Sequence, residues 1–195
     1  MQMPGLVDLS ILDCRPVSTV TDHLVVDPAV VGFVLAEMDP AHLVDGVLSG
    51  KDVHFISSGK WSLYDLLIAL LPFCSPAVLY LSTYSLTEFS ARILARNVSE
   101  GHLSAVHILL DKRAKVRYPE VYQLAGNISN RIRLMEVHAK VMVLQSADRI
   151  VTVVGSANWT ENPRIEAGIL TTNPEVGNFH KMWLDKAIEH GTVFK

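Results

Sequence analysis

From residue 52 onward the chain alternates short β-prone runs with amphipathic stretches, and proline or glycine punctuates the series. That alternation restricts the fold, because neighbouring parallel strands need a crossover of a dozen or more residues, usually a helix. Residues 52–57 (DVHFIS) read as a first strand. Ser62, with Asp65 three residues on, forms a capping-box start for an apolar helix over 63–71, which Pro72 and Pro76 should stop. A β-rich run follows at 77–84. An amphipathic helix over 87–100 places Phe89, Ile93, Leu94 and Val98 on one face and ends at Gly101. A strand at 103–110 leads to a basic helix over 112–124. Three β-like runs come next, at 132–137, 140–145 and 150–155. A further run at 167–172 precedes a closing helix over 174–189, whose expected buried set is Phe179, Met182, Trp183 and Ile188. Crossover helices first and hairpin-like strands later predict an α/β fold, a mixed sheet with helices on both faces.

Within 195 residues this is one domain, and an apolar share of 49% supplies an ample core and excludes extended disorder. We divide the chain into an acidic N-terminal extension, 1–50, packed on the domain, and a domain over 51–195. The extension carries Asp8, Asp13, Asp22, Asp27, Glu37, Asp39 and Asp45 against Arg15 alone, a net charge of −6. Residues 92–133 reverse the sign to +5. Lys112, Arg113, Lys115, Arg117, Arg131 and Arg133 dominate that zone, so an overall charge of −3 hides a local surface able to meet a polyanion. The first residues lack a basic stretch followed by an apolar one, no run is long enough to span a membrane, and Cys14 and Cys74 are outside any metal-ligand spacing. A cytoplasmic protein with no disulfide framework is expected.

The chemistry-bearing stretch is His138-Ala139-Lys140, followed after a hairpin by Gly155-Ser156-Ala157-Asn158 and then Glu166. On a strand His138 and Lys140 share a face, roughly 7 Å apart. Ser156 and Asn158 repeat that spacing beyond the next strand, where Gly155 permits close backbone approach to a ligand. An imidazole, a fixed cation, a hydroxyl and an amide are what a phosphodiester site requires, and a carboxylate such as Glu166 can fix the imidazole tautomer. Other residues weigh less. His54, His102 and His107 fit structural roles. Ser57-Ser58-Gly59-Lys60 lacks the first glycine of a phosphate loop, and Trp159 is expected to pack.

In this order and spacing the residues resemble the phospholipase D superfamily, whose signature is His-x-Lys-x4-Asp followed by Gly-Ser-x-Asn. The resemblance covers roughly residues 52–190, with the strict motif at 138–158. It implies that His138 attacks phosphorus and that Lys140, Ser156 and Asn158 hold the phosphate oxygens while Glu166 orients His138. No metal or other cofactor is implied. Because the mechanism uses two histidines and the motif occurs once, the resemblance to small single-copy bacterial endonucleases implies a homodimer sharing one cleft. Nucleic acid, DNA foremost, is the implied substrate, with Lys112, Arg113, Lys115, Arg117, Arg131 and Arg133 binding it and no stable membrane association. One position departs from the pattern: the family aspartate falls at Gln145, which keeps a hydrogen bond but not a charge, and Asp148 lies three residues later. A phospholipid hydrolase or transphosphatidylase is one alternative. A binding or regulatory protein with weakened turnover is the other.

Overall fold

The computed structural model describes residues 39–192 other than Asn130 and Asn162, with Ser58 described by its backbone alone. The acidic extension before Asp39 lies outside the described residues. Its last part forms α1 (Pro40–Leu48), which packs Leu43, Val44 and Val47 into the core beside α2 (Leu63–Cys74). The chain then lays down β1 (Val53–Ser58), α2, β2 (Ala77–Thr83), α3 (Glu88–Ser99) and β3 (Leu103–Asp111). After these come α4 (Ala114–Arg117), α5 (Pro119–Ile128) and β4 (Arg131–Met135). β5 (Lys140–Gln145), β6 (Ile150–Gly155), β7 (Ile165–Thr171) and α6 (Pro174–His190) complete it.

All seven strands form one mixed sheet in the order β1-β7-β6-β5-β2-β3-β4. β2, β3 and β4 run parallel and are joined by helical crossovers, while β5, β6 and β7 form an antiparallel meander closed by β1. One face packs Leu79, Leu81, Ile108, Met142 and Leu144 under the earlier helices. The other packs Tyr80, Leu109, Val141 and Val143 under Leu184 and Ile188 of α6. The mixed α/β sheet with helices on both faces is therefore as the sequence predicts.

Several local expectations need correction. Helix α2 continues through Pro72 to Cys74. The expected basic helix is two helices, because Pro119 disfavours helical backbone at Tyr118, which sits at φ −142° and ψ 64°. β4 pairs with β3 at the sheet edge and does not form a hairpin with β5. Helix α3 buries Ser90, Ala91, Leu94 and Asn97, with Ile93 and Val98 half-buried and Phe89 exposed against Tyr64. Helix α6 turns Gly177, Leu184 and Ile188 to the sheet, leaving Phe179 and Met182 59% and 67% exposed. Gly177 explains that choice, since an added Cβ would lie 2.6 Å from the Ile150 side chain. The helix sits too close for any other residue there, and 177, 184 and 188 form one stripe at helical spacing.

Gly168 on β7 and Gly155 on β6 are paired, and both are needed where three backbones converge. A Cβ at Gly168 would fall 2.5 Å from the Phe55 ring and 2.9 Å from the Val154 carbonyl oxygen. Gly168→Ala should therefore lower stability by about 1–3 kcal/mol, the usual cost of overpacking. Urea unfolding should show an earlier midpoint at unchanged slope, and a wild-type midpoint would contradict this packing.

Candidate active site

Strand direction decides which residues meet. β5, running antiparallel to both β2 and β6, begins where those strands end. The start of β5, the ends of β2, β3, β4 and β6, and the start of β7 therefore share one end of the sheet. Lys140 is the first residue of β5 and lies opposite Gly155. His138 is on the loop just before the strand and is exposed, so strand alternation is not what brings it to Lys140. Lys140 folds back: its Nζ lies 3.0 Å from His138 Nδ1 and 3.2 Å from Nε2, and donates to the His138 carbonyl at 2.7 Å. Lys140 is only 5% exposed. Burial pushes its ammonium below the ordinary lysine value, and the Glu166 charge opposes that shift.

Ser156 follows Gly155 and is locked to β7. Its N–H donates to the Ala167 carbonyl at 2.9 Å, its Oγ accepts from the Ala167 N–H at 3.1 Å, and its hydroxyl donates to Glu166. Glu166 thus orients Ser156 directly and faces Lys140 electrostatically. Gly155 serves this junction, because a Cβ there would lie 2.8 Å from the Ala167 carbonyl oxygen. The close approach is between strands, whereas the sequence reading assigned it to a ligand. Asn158 Oδ1 lies 3.4 Å from the Thr83 hydroxyl at the end of β2. Trp159, fully buried, anchors the loop by accepting at its carbonyl from Ser90 Oγ and the Thr87 N–H.

Three residues of this sheet end were not singled out from the sequence. Ser82 Oγ donates to the Ala139 carbonyl at 3.0 Å, and Asp111 Oδ2 accepts from the Val137 N–H at 3.3 Å. The backbone is thus pinned on both sides of His138. Asp111, 1% exposed, also binds the Arg113 guanidinium through two nitrogens, at 2.7 and 3.2 Å. Tyr84 is the third: its ring centroid is 5.4 Å from that of His138. A lone acid ending the apolar strand LSAVHILLD was the available signal for Asp111. Nothing in the sequence marked Tyr84.

Of the predicted binding residues, Lys112, Arg113, Lys115 and Arg117 lie at the site end, directly after β3 and in α4. Lys112 pairs with Glu136. Arg131 and Arg133 lie along β4. The first donates to Asp185 of α6 at 3.2 Å and the second to the Ile132 carbonyl at 2.8 Å. Gln145 is at the opposite end of β5, about 17 Å from Lys140 at strand rise, beside Asp148 in the β5–β6 turn. Among the described residues, no group of three or more His, Cys, Asp or Glu gathers as a metal cluster, and no helix is long and apolar enough to cross a membrane.

The Arg113 hydrogen bond, first among several, holds the Asp111 carboxyl below the ordinary aspartate value. A depressed folded-state value adds stability that is present above the unfolded value, about 3.9, and is lost as pH falls through the folded one. Asp111→Asn should therefore be less stable than wild type, with the gap widest above about pH 5 and narrowing in acid. Urea unfolding at a series of pH values measures this, and a gap that is constant down to pH 2 would refute it.

The chain matches no family model and no curated protein. Solved structures do match. Nuc from Salmonella typhimurium, described as a phospholipase D family member, aligns over 74% of this chain and 98% of its own, at 16% identity and TM-score 0.55. NucT from Helicobacter pylori aligns over 74% and 99%, at 21% identity and TM-score 0.53. Polyphosphate kinase from Porphyromonas gingivalis aligns over 74% of this chain and 27% of its own, at 19% identity and TM-score 0.53. The chain has the phospholipase D fold, the fold of the family that its His138–Asn158 motif resembles.

Proposed function

We propose that the protein is a metal-independent phosphodiesterase acting on nucleic acid through a phosphohistidine, in a site completed by a second copy of the chain. One observation carries this reading: Lys140, His138 and the Ser156–Glu166 pair converge at one sheet end, beside a ridge of cations. A lone pair on the His138 imidazole attacks phosphorus. The bond to the leaving oxygen breaks, and His138 of the partner subunit supplies that oxygen with a proton. The same partner imidazole then takes a proton from water, whose oxygen displaces His138 and frees the phosphate monoester. Lys140 and the Asn158 amide stabilise the non-bridging oxygens, and Glu166 holds the Ser156 hydroxyl in place for the same task.

The surface supports a two-fold partner. On the α6 side of the sheet, β7 and β1 present Ile165, Ile169 and Ile56 at 76%, 39% and 45% exposure. Ile165 lies at the same end of the sheet as the site, on the face opposite the Glu166 side chain. An isologous contact over it would cover the isoleucines and bring together two copies of His138. The segment from Lys112 to Arg117 offers the backbone-binding charge.

On bis(p-nitrophenyl) phosphate, His138→Ala should abolish turnover, and Lys140→Ala or Asn158→Ala should reduce it by ~10²–10³. EDTA should leave the rate unchanged, and loss restored by a divalent ion would refute the mechanism. One imidazole must be neutral and its partner protonated, so the rate should follow a bell centred between mildly acidic and neutral pH.

Light scattering should report about twice the 21.5 kDa chain mass. Ile165→Asp should yield an inactive monomer, and an active monomer would sink the shared site. DNA binding should weaken with salt at a log–log slope of about −0.9 per phosphate contact. Lys115→Ala with Arg117→Ala should cost more affinity than Arg131→Ala with Arg133→Ala. Cleavage of phosphatidylcholine vesicles without salt-sensitive DNA binding would replace nucleic acid by lipid as the substrate.

A further inference from the structure

We propose that Tyr84 is a positioning residue of this site, its ring seating the His138 imidazole and gathering three cations beside it. The kinetic arm of this proposal rests on the phosphodiesterase reading. The placement itself does not. Tyr84 directly follows β2, and four basic groups surround it. Its ring centroid lies 5.4 Å from the His138 ring at a 58° tilt, 4.7 Å from the Arg113 guanidinium carbon and 5.9 Å from Lys140 Nζ. Its hydroxyl accepts from Arg117 Nη1 at 3.2 Å.

The need for such a residue follows from how His138 is held. Ser82 and Asp111 pin the backbone on either side of it, but backbone pins leave both side-chain torsions of an exposed histidine free. Lys140 Nζ lies within hydrogen-bond distance of both imidazole nitrogens, and the Tyr84 ring provides a second contact. Two such contacts restrict a ring that must approach phosphorus within a few tenths of an ångström of its productive position. The aromatic face has a further effect. Arg113, Arg117 and Lys140 would repel one another in a small volume; the ring quadrupole attracts Arg113 and Lys140 within about 6 Å, and the hydroxyl accepts from Arg117. Asp111 fixes Arg113 from the other side, so Tyr84 and Asp111 hold one guanidinium between them.

Tyr84 belongs to neither hydrophobic core, so its removal should leave the fold standing. Two variants separate the ring from the hydroxyl: Tyr84→Leu removes both, and Tyr84→Phe removes only the acceptor for Arg117. The first measurement needs no activity. His138 ring C–H resonances, assigned by their loss in His138→Ala, should move in Tyr84→Leu when the aromatic ring current is lost. They should stay near wild type in Tyr84→Phe.

The second measurement is the rate on bis(p-nitrophenyl) phosphate. Tyr84→Leu should lower kcat by roughly 10–10²-fold with KM changed little, the pattern of a misplaced reacting group. Tyr84→Phe should recover most of that loss. Should the leucine variant melt early, Tyr84→Met, with similar reach and no ring, repeats both measurements. Unmoved His138 resonances together with wild-type kcat in the ring-less variants would overturn the proposal. So would a phenylalanine variant as impaired as the leucine one. If the wild type hydrolyses no diester, the phosphodiesterase reading falls, and the resonances alone decide where Tyr84 stands.

Discussion

Lys140 starts a strand whose next four residues, Val141 to Leu144, are all buried, so its stem enters the core while its ammonium must find acceptors at the sheet end. A charge withdrawn from water in this way is costly unless it is paired and hydrogen-bonded. The nearest acceptors are the carbonyl and ring of His138, two residues back, and the nearest counter-charge is Glu166 across the meander. Satisfying one buried ammonium thus pulls the loop before β5 over the strand end and draws β7 toward it. The paired glycines at 155 and 168 let β6 and β7 close up at this end. Replace either by a larger residue and β6, which leads to Ser156, parts from β7, which carries Glu166.

The other flank depends on a second buried charge. Asp111 ends β3 with its carboxylate shared between the Arg113 side chain, the Arg113 N–H and the Val137 N–H. The first two contacts fix where the basic ridge begins, and the third fixes where the His138 loop begins. Two parallel strands, β3 and β4, finish side by side, so one acid reaches both following loops. The ridge and the His138 imidazole are therefore positioned by the same group, with Tyr84 beside both.

Much of this was legible beforehand because it depends on local pattern. The capping pair at Ser62 and Asp65, the stop at Gly101 and the even hydrophobicity of the strands are read from neighbours in sequence. The motif residues were legible for a similar reason: their hairpin connection, β5 to β6, survives translation into structure, although His138 lies before β5 and not on it. What failed was the placement of Phe89 on α3 and of Phe179 and Met182 on α6, while Leu94, Ile93, Val98, Trp183 and Ile188 pack inward as expected. There tertiary contacts at Trp159 and Ile150 selected Ser90 and Gly177 for the inside and left Phe89, Phe179 and Met182 outside. Ser82 and Tyr84 were illegible, and Asp111 was marked only as a lone acid at a strand end, because their roles arise from strand order. Their partners lie between 26 and 57 residues away in sequence for the contacts that pin the loop. Gln145 shows the converse: a departure in the motif string that the strand's length carries to the far end of the sheet.

The exposed apolar face on β7 and β1 has a geometric origin in the same sheet. Helix α6 lies across β6, β5, β2, β3 and β4 and runs out before β7 and β1. Among the described residues, the strands that α6 does not cover on that face are the pair that bears Ile56, Ile165 and Ile169. That apolar face favours burial, and the two-fold dimer proposed above would cover it.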